Sequence, residues 1–192
     1  MNIFVLSENP AIAAQLHNDK HCIKMILESA QLLSTAHRMV DGTPYTDRTA
    51  NNRRIQRWRH ADQTRERLLL KATHVNHPCN VWVRSHPLHY QWLFHLFAEL
   101  TEEYARRYVK DHAYSLKRHP AFYYTLGCVP NGLYNVKTAP CAPPQAMPDA
   151  YKVSGDSWNA TVEAYQNYYR GAKVAFSTWK NQSTPAFMLE IR

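Results

Sequence analysis

Apolar and polar positions along most of the chain alternate with the period of an α-helix. A short apolar run at residues 2–6 predicts a buried strand, and Asn9 and Pro10 then have the residue types of a helix N-cap and first helical position. Apolar side chains recur every three or four residues as far as Arg38, and Gly42 follows the last of them. One long helix is therefore expected from Pro10 to Arg38, with Gly42 in the left-handed conformation.

Further helices follow from the same periodicity. They are predicted at about residues 50–72, at Pro87–Tyr108, and from an Asp156 N-cap to about Trp179. Residues 109–156 have no clear period, and five of the eleven prolines fall between Pro130 and Pro148. The predicted fold is mainly α: a single-domain helical bundle over residues 1–192, with a short N-terminal strand and a long irregular Pro-rich segment at about 109–156.

The first helix has two features that favour a break inside it. Asp19 falls on its apolar side, where an unpaired carboxylate is costly, and 29 residues is long for a chain of this size. A break near His17, with Asp19 as the cap of a second helix, removes both problems. Lys20, His21 and Lys24 then occupy the first turns, where the helix dipole disfavours cations. Together with free backbone N–H groups, they predict a phosphate or similar oxyanion site.

The net charge of +8 points to an anionic, phosphate-bearing partner, either a nucleotide or a nucleic acid. Much of that charge lies in residues 43–71, where arginines predominate. Basic and aromatic side chains also lie together in the last predicted helix, as in surfaces that stack bases and contact phosphates. The candidate phosphate-binding residues are His17, Lys20, His21, Lys24, Arg53, Arg57, Tyr168, Arg170 and Lys173.

Catalytic candidates, if the chain is an enzyme, are His21, Lys24 and Glu28, with Lys24 as a possible Schiff-base amine. No cofactor is predicted. Metal binding is disfavoured because the histidines occur as isolated pairs without an H-E-x-x-H motif, and the four cysteines form no C-x-x-C pair.

Several classes of protein are excluded or disfavoured by the pattern of residues. No apolar run approaches 18 residues, so neither a membrane span nor a membrane partner is expected. The N-terminus lacks the features of a secretory signal, and the cysteines are scattered, which favours a reducing cytoplasm. Homo-oligomerisation is left open.

The motif from Asp19 to Glu28, read as D-K-H-x-x-K-M-I-L-E, resembles a family of largely uncharacterised tailed-phage proteins. The opening Met-Asn-Ile-Phe-Val-Leu, the stretch from Trp92 to Tyr108 and the later Tyr-Tyr-Arg at 168–170 belong to the same resemblance. It implies a viral protein that acts in the cytoplasm of an infected bacterial host.

The chain is also similar to the pyrimidine-dimer DNA glycosylases of the endonuclease V family. The similarity lies in a set of basic and aromatic positions: Lys20, Lys24, Glu103, Arg107, Tyr108, Tyr168, Tyr169 and Lys173. Those enzymes use a free N-terminal amine on a small residue together with a catalytic glutamate. The resemblance assigns His21 to the place of that glutamate, and the bulk of Asn2 implies that Met1 is retained.

Three functions are consistent with these observations. The first is a binding protein that holds a phosphorylated nucleotide in a Lys/His pocket and, in a phage, sequesters a host nucleotide immune signal as an anti-defence protein. The second is a DNA glycosylase or abasic-site lyase that acts on damaged or modified bases, which such enzymes extrude into a pocket. The third is a non-specific DNA-binding accessory protein that uses the arginines of residues 48–71.

Overall fold

The computed structural model describes residues 1–189. The helices in that range are α1 (Pro10–Leu16), α2 (Asp19–Asp41), α3 (Gln63–Leu68), α4 (Pro78–Val83), α5 (Pro87–Tyr108), α6 (Pro120–Gly127), α7 (Trp158–Tyr168) and α8 (Ala186–Leu189). The strands are β1 (Gly42–Arg48) and β2 (Arg54–His60). The predicted mainly α class is confirmed, and the helix predicted at Pro87–Tyr108 is α5.

The N-terminal segment is buried, but it is not the strand that was predicted. Ile3, Val5 and Leu6 are at most 1% exposed, yet residues 2–6 pair with no strand in the described chain. The Asn2 side chain takes the place of a strand partner, because its Oδ1 accepts from the backbone N–H groups of Ile3 at 2.8 Å and Phe4 at 3.3 Å. Phe4 has φ of +44°, which interrupts an extended conformation.

The long first helix is divided at the predicted place. α1 ends at Leu16, and α2 begins at Asp19. The cap of α2 is Asn18, whose Oδ1 accepts from His21 N at 2.8 Å, so the assignment of Asp19 as cap is wrong by one residue. Gly42 has φ of −104° and is extended. A glycine is required there for another reason: a Cβ on Gly42 would overlap the backbone carbonyl of Arg38.

The helix predicted at residues 50–72 is wrong. β1 and β2 form an antiparallel hairpin with a register from Gly42↔His60 to Arg48↔Arg54, and only the short α3 follows it. At the turn, Asn52 adopts the left-handed conformation at φ +58°, which asparagine tolerates better than most residues. Ile55 and Trp58 have a helical spacing, but too few apolar residues accompany them to form a continuous stripe on which a helix could pack, so the turn decided the structure.

The centre of the molecule is formed by α2 and α5, which pack against each other, and α1 packs on α5. Leu93, Leu96, Phe97 and Leu100 of α5 are fully buried. Within residues 1–189, no helix is both long and apolar enough to cross a membrane.

Residues 109–156 are less irregular than predicted. They contain α6 and the 3-10 turns Asn131–Asn135 and Asp149–Tyr151. The last helix is shorter than predicted: α7 is capped by Ser157 instead of Asp156, and it passes into a π-helical turn at Tyr169–Lys173. A Cβ on Gly171 would overlap the ring of Tyr151, so the wider turn brings the backbone against this aromatic side chain.

Candidate functional site

The N-terminal amine lies beside the carboxylate of Glu28, in the middle of α2. Glu28 is 8% exposed, and its Oε2 lies 3.8 Å from the Met1 amine nitrogen and accepts from Asn2 N at 2.8 Å. Its Oε1 lies 3.2 Å from Lys24 Nζ. A buried carboxylate needs such partners. We call Met1, Asn2, Lys24 and Glu28 the amine site.

Asn2 fixes the position of the chain end. Its Nδ2 donates to Ala146 O at 2.8 Å, and its Oδ1 accepts from Tyr165 Oη at 2.7 Å. The Cys79 thiol also approaches Oδ1, at 3.9 Å. Burial raises the pKa of Cys79 to about 12 and holds that of Tyr165 well above its ordinary value. These neutral groups therefore position Asn2 and do not supply an acid or base.

His77 faces the amine site from the N-terminus of α4. Partial burial lowers its pKa, the N-terminal amine lowers it further, and Glu28 acts in the opposite direction. His77 is thus a neutral imidazole beside an amine and a carboxylate. His77 was not among the predicted site residues.

His21 is buried and uncharged, which corrects its expected role as one of three cations. Its Nδ1 lies 2.6 Å from Tyr169 Oη, and its ring stacks on Phe4 at a centroid distance of 4.1 Å. Burial, together with the smaller effects of His17, Lys173 and Lys24, lowers its pKa to about 3. His21 connects α2 to the residue that follows α7. Of the three expected cations, only Lys20 and Lys24 contribute positive charge.

His17 is fully buried and has a structural position. Its Nδ1 lies 2.6 Å from the Ala13 carbonyl oxygen. Burial lowers its pKa to about 4, against an opposing effect of that carbonyl. A neutral, enclosed imidazole is poorly suited to contact a phosphate ligand.

Two lysines meet aromatic rings next to His21. Lys20 Nζ lies 4.8 Å from the Phe176 ring centroid, and Lys173 Nζ lies 4.3 Å from that of Tyr168 and 6.0 Å from that of Phe176. The structure thus brings together three of the predicted residues from the two ends of the sequence. We call Lys20, Tyr168, Lys173 and Phe176 the lysine face.

The N-terminus of α2 is not the open anion site that was expected. Asp19 N donates to Thr178 O at 2.8 Å, and His21 N donates to Asn18 Oδ1. The Asp19 carboxylate itself lies at this helix end and accepts from Lys180 N at 3.0 Å. Groups of the chain itself already occupy the backbone N–H groups and the positive end of the helix dipole. An anion would therefore have to be held by side chains.

Asp19 is paired with the buried Arg107. The Arg107 guanidinium donates to Asp19 Oδ1 at 3.0 Å, to Glu103 Oε1 at 2.7 Å and to the His17 carbonyl at 2.9 Å. This pairing compensates for the cost of placing the Asp19 carboxylate on the apolar side of the helix. The contact joins residues 88 positions apart, and no local pattern indicates it.

The other predicted residues lie elsewhere. Arg53 is at the hairpin turn, and Arg57 donates to Ala72 O at 3.3 Å. The hairpin continues from the C-terminal end of α2, about 30 Å from Lys20 along a helix of this length. Arg170 donates to the Phe187 carbonyl at 3.1 Å, which joins the turn after α7 to α8.

The pairing of Glu28 with the amine changes the assignment that the glycosylase resemblance implied. The carboxylate nearest to the amine belongs to Glu28, and His21 lies among aromatic rings. Sequence reasoning named Glu28 but missed the amine as its partner, because a chain terminus has no periodic pattern.

Comparisons with known proteins give no family for this chain. No protein-family model matches it, and searches of curated proteins and of solved structures find no match. The resemblances to tailed-phage proteins and to DNA glycosylases therefore stay predictions.

Proposed function

We propose that the protein is a DNA base-excision enzyme, of the glycosylase or abasic-site lyase kind, that acts through its N-terminal amine. The observation that carries the proposal is the distance of 3.8 Å between the Met1 amine nitrogen and Glu28 Oε2. A primary amine beside a carboxylate is a pair suited to covalent catalysis at an electrophilic sugar carbon.

The proposed lyase reaction begins when the unprotonated amine adds to C1′ of the ring-opened, aldehyde form of an abasic sugar. Glu28 passes the two protons that the nitrogen loses to the former aldehyde oxygen, which leaves as water when the imine forms. The Glu28 carboxylate then accepts a proton from C2′ while the bond from C3′ to the 3′ phosphate oxygen breaks, and hydrolysis of the unsaturated imine frees the amine. As a class, α-amines hold their proton less tightly than lysine amines, so a larger share of an α-amine is unprotonated and nucleophilic at neutral pH.

The proposal does not depend on whether Met1 is retained. Asn2 N already lies 2.8 Å from Glu28 Oε2, so removal of Met1 would leave a new primary amine beside the same carboxylate. Lys24 is the competing amine. Its side chain is 66% exposed, and its Nζ pairs with the other Glu28 oxygen, Oε1, at 3.2 Å.

The lysine face supports a phosphate-bearing substrate. Lys20 and Lys173 carry charge next to Tyr168 and Phe176, and aromatic and basic side chains together suit both base stacking and phosphate contact. The same face also favours the second candidate function, binding of a phosphorylated nucleotide without cleavage.

The test is borohydride trapping on a duplex oligonucleotide with one abasic site. We expect a covalent adduct that peptide mapping assigns to the N-terminal residue. Glu28→Gln should reduce trapping by about a hundredfold, the range of one acid–base group. Lys24→Ala should retain trapping, as should the matched control Lys117→Ala, another exposed lysine paired with an acid.

Acetylation of the N-terminus should abolish the adduct. An adduct that survives acetylation, or that maps to Lys24, would overturn the assignment of the amine. If no adduct forms and mass spectrometry of the denatured protein finds a co-purified nucleotide, the nucleotide-binding function is supported instead.

A further inference from the structure

A second cluster of polar side chains lies at the other end of α2. His37 and Asp41 are one helical turn apart, so they share a side of α2, and the hairpin register sets His60 opposite Gly42. One potential ligand atom from each of His37, Asp41 and His60 lies within 4.8 Å of the others. We call these three residues the histidine cluster.

The histidine cluster contains buried nitrogen atoms without partners. Both ring nitrogens of His37 and Nε2 of His60 are shielded from solvent and make no hydrogen bond of normal geometry. His37 is fully buried and His60 is 6% exposed. Buried polar atoms nearly always have a partner, and each one without it costs about 1–3 kcal/mol. Three such nitrogens in so small a space point to a bound group.

The carboxylate of the cluster is held in place by the backbone. Asp41 Oδ2 accepts from Asn131 N at 2.8 Å and Oδ1 from Gly132 N at 2.9 Å, so the turn after α6 orients both oxygens. Hydrogen bonds of this kind commonly orient metal-ligating carboxylates. The Cys128 backbone carbonyl also faces His37, outside normal hydrogen-bond geometry, so one ring nitrogen can point its proton at this carbonyl while the other binds a ligand.

We propose that His37, Asp41 and His60 bind a divalent transition-metal ion, with zinc as the best fit. Two imidazole nitrogens and one carboxylate oxygen are a common zinc donor set, and three protein ligands leave a fourth position open. Ligands at about 2.1 Å from zinc in tetrahedral geometry lie about 3.4 Å apart, so the cluster has to contract by roughly an ångström or more at its widest separation. The ion would join α2, β2 and the turn after α6.

Two local interactions oppose metal binding, one at His60 and one at His37. His60 Nδ1 accepts from Asp62 N at 3.1 Å, and a metal on Nε2 requires Nδ1 to carry the proton, so this bond must open. Asp62 is exposed, so its N–H can turn to water. The Arg65 guanidinium also acts electrostatically on His37, and its positive charge repels a metal ion. Removal of the arginine should therefore strengthen metal binding.

The test is Co²⁺ titration of protein freed of metal by a chelator, followed by the visible absorption of tetrahedral Co²⁺. We expect one Co²⁺ per chain, displaced by Zn²⁺. Asp41→Asn and His60→Gln should each weaken binding by tenfold or more, because loss of a group that only orients a ligand already costs about 10–100-fold. Arg65→Gln should tighten it. His74→Gln, at an exposed histidine outside the cluster, should leave it unchanged.

Circular dichroism of each variant checks that the fold is retained, and His37 is left intact because it is fully buried. Absence of tetrahedral Co²⁺ absorption would overturn the proposal. So would equal affinity in the wild-type, Asp41→Asn and His60→Gln proteins, because the metal would then be bound elsewhere. The outcome is independent of the amine site, since no residue is shared.

Discussion

At the scale of single residues, burial changes the chemistry that the sequence suggested for its histidines. His17 and His21 appeared among the basic candidates, but the fold encloses both. An imidazole in an apolar enclosure loses hydration of its charged form, so it stays neutral. Lys20 and Lys24 remain exposed on the same helix and keep the charge.

The neutral histidines predict a loss of stability in acid. The pKa of His21 falls from 6.5 in the unfolded chain to about 3, and that of His17 to about 4. As pH drops below 6.5, the unfolded chain binds these protons first, so the free energy of unfolding declines until the folded-state pKa values are reached. Each histidine contributes a slope of up to about 1.4 kcal/mol per pH unit.

Urea unfolding between pH 7 and pH 4.5, roughly the window set by these shifts, measures the effect. His21→Gln should give a shallower decline than wild type by up to about 1.4 kcal/mol per pH unit. His74→Gln, at an exposed position, is the matched control and should follow the wild-type curve. Parallel curves for wild type and His21→Gln would contradict the prediction.

At the scale of elements, the β1–β2 hairpin presents arginines on both of its faces. The side chains of Arg57 and Arg59 share one face, and Arg48 and Arg54 share the other, as the period of two requires. Arg38, at the end of α2, donates to the Trp58 carbonyl at 3.0 Å and to Glu66 Oε2 at 2.6 Å. The hairpin is thereby anchored at its base, while its turn extends into solvent.

The hairpin turn is predicted to contribute to sequence-independent DNA binding. Loss of two phosphate contacts in Arg53→Ala/Arg54→Ala should reduce the slope of log affinity against log salt concentration by up to about 1.8. Fluorescence anisotropy of a labelled duplex over a series of salt concentrations measures the slope. Lys117→Ala/Arg118→Ala is the control, because it removes the same charge at exposed positions outside the hairpin. Equal slopes for the two double variants would refute a specific role for the hairpin.

At the scale of the whole molecule, the buried Arg107 joins segments that are far apart in sequence. It bonds to Glu103 on α5, to Asp19 at the start of α2 and to the backbone of Gln15 and His17 at the end of α1. Thr178 and Lys180 bond to Asp19 from the C-terminal segment. The guanidinium therefore connects the end of α1 and the start of α2 with α5, and the Asp19 carboxylate extends this connection to residues 178–180.

Arg107→Met is predicted to destabilise the protein strongly. It leaves the Glu103 and Asp19 carboxylates without their main partner, and breaking a buried ion pair costs about 3–5 kcal/mol. Arg106→Met is a close control, because Arg106 bonds to the same Glu103 from an exposed position, and it should cost under about 1 kcal/mol. Equal losses in urea unfolding would contradict the prediction.

The sequence by itself determined the features that depend on neighbours along the chain. The Asn9 cap, the division of the first helix near His17 and the extent of α5 follow from periodicity and capping chemistry, which act within a few residues. The mainly α class follows from the same patterns. The hairpin was missed because the few apolar residues among its arginines have a helical spacing, whereas its turn and the contact of Arg38 with Trp58 decided the structure.

Only the tertiary structure decided which groups meet. The amine and Glu28 are brought together when the N-terminal segment packs beside α2. Lys20 and Lys173 come together only because both lie over the ring of Phe176, which follows α7. The neutrality of His21 has the same origin. Distances across the fold and the removal of water depend on packing between remote segments, which no local spacing of residues encodes.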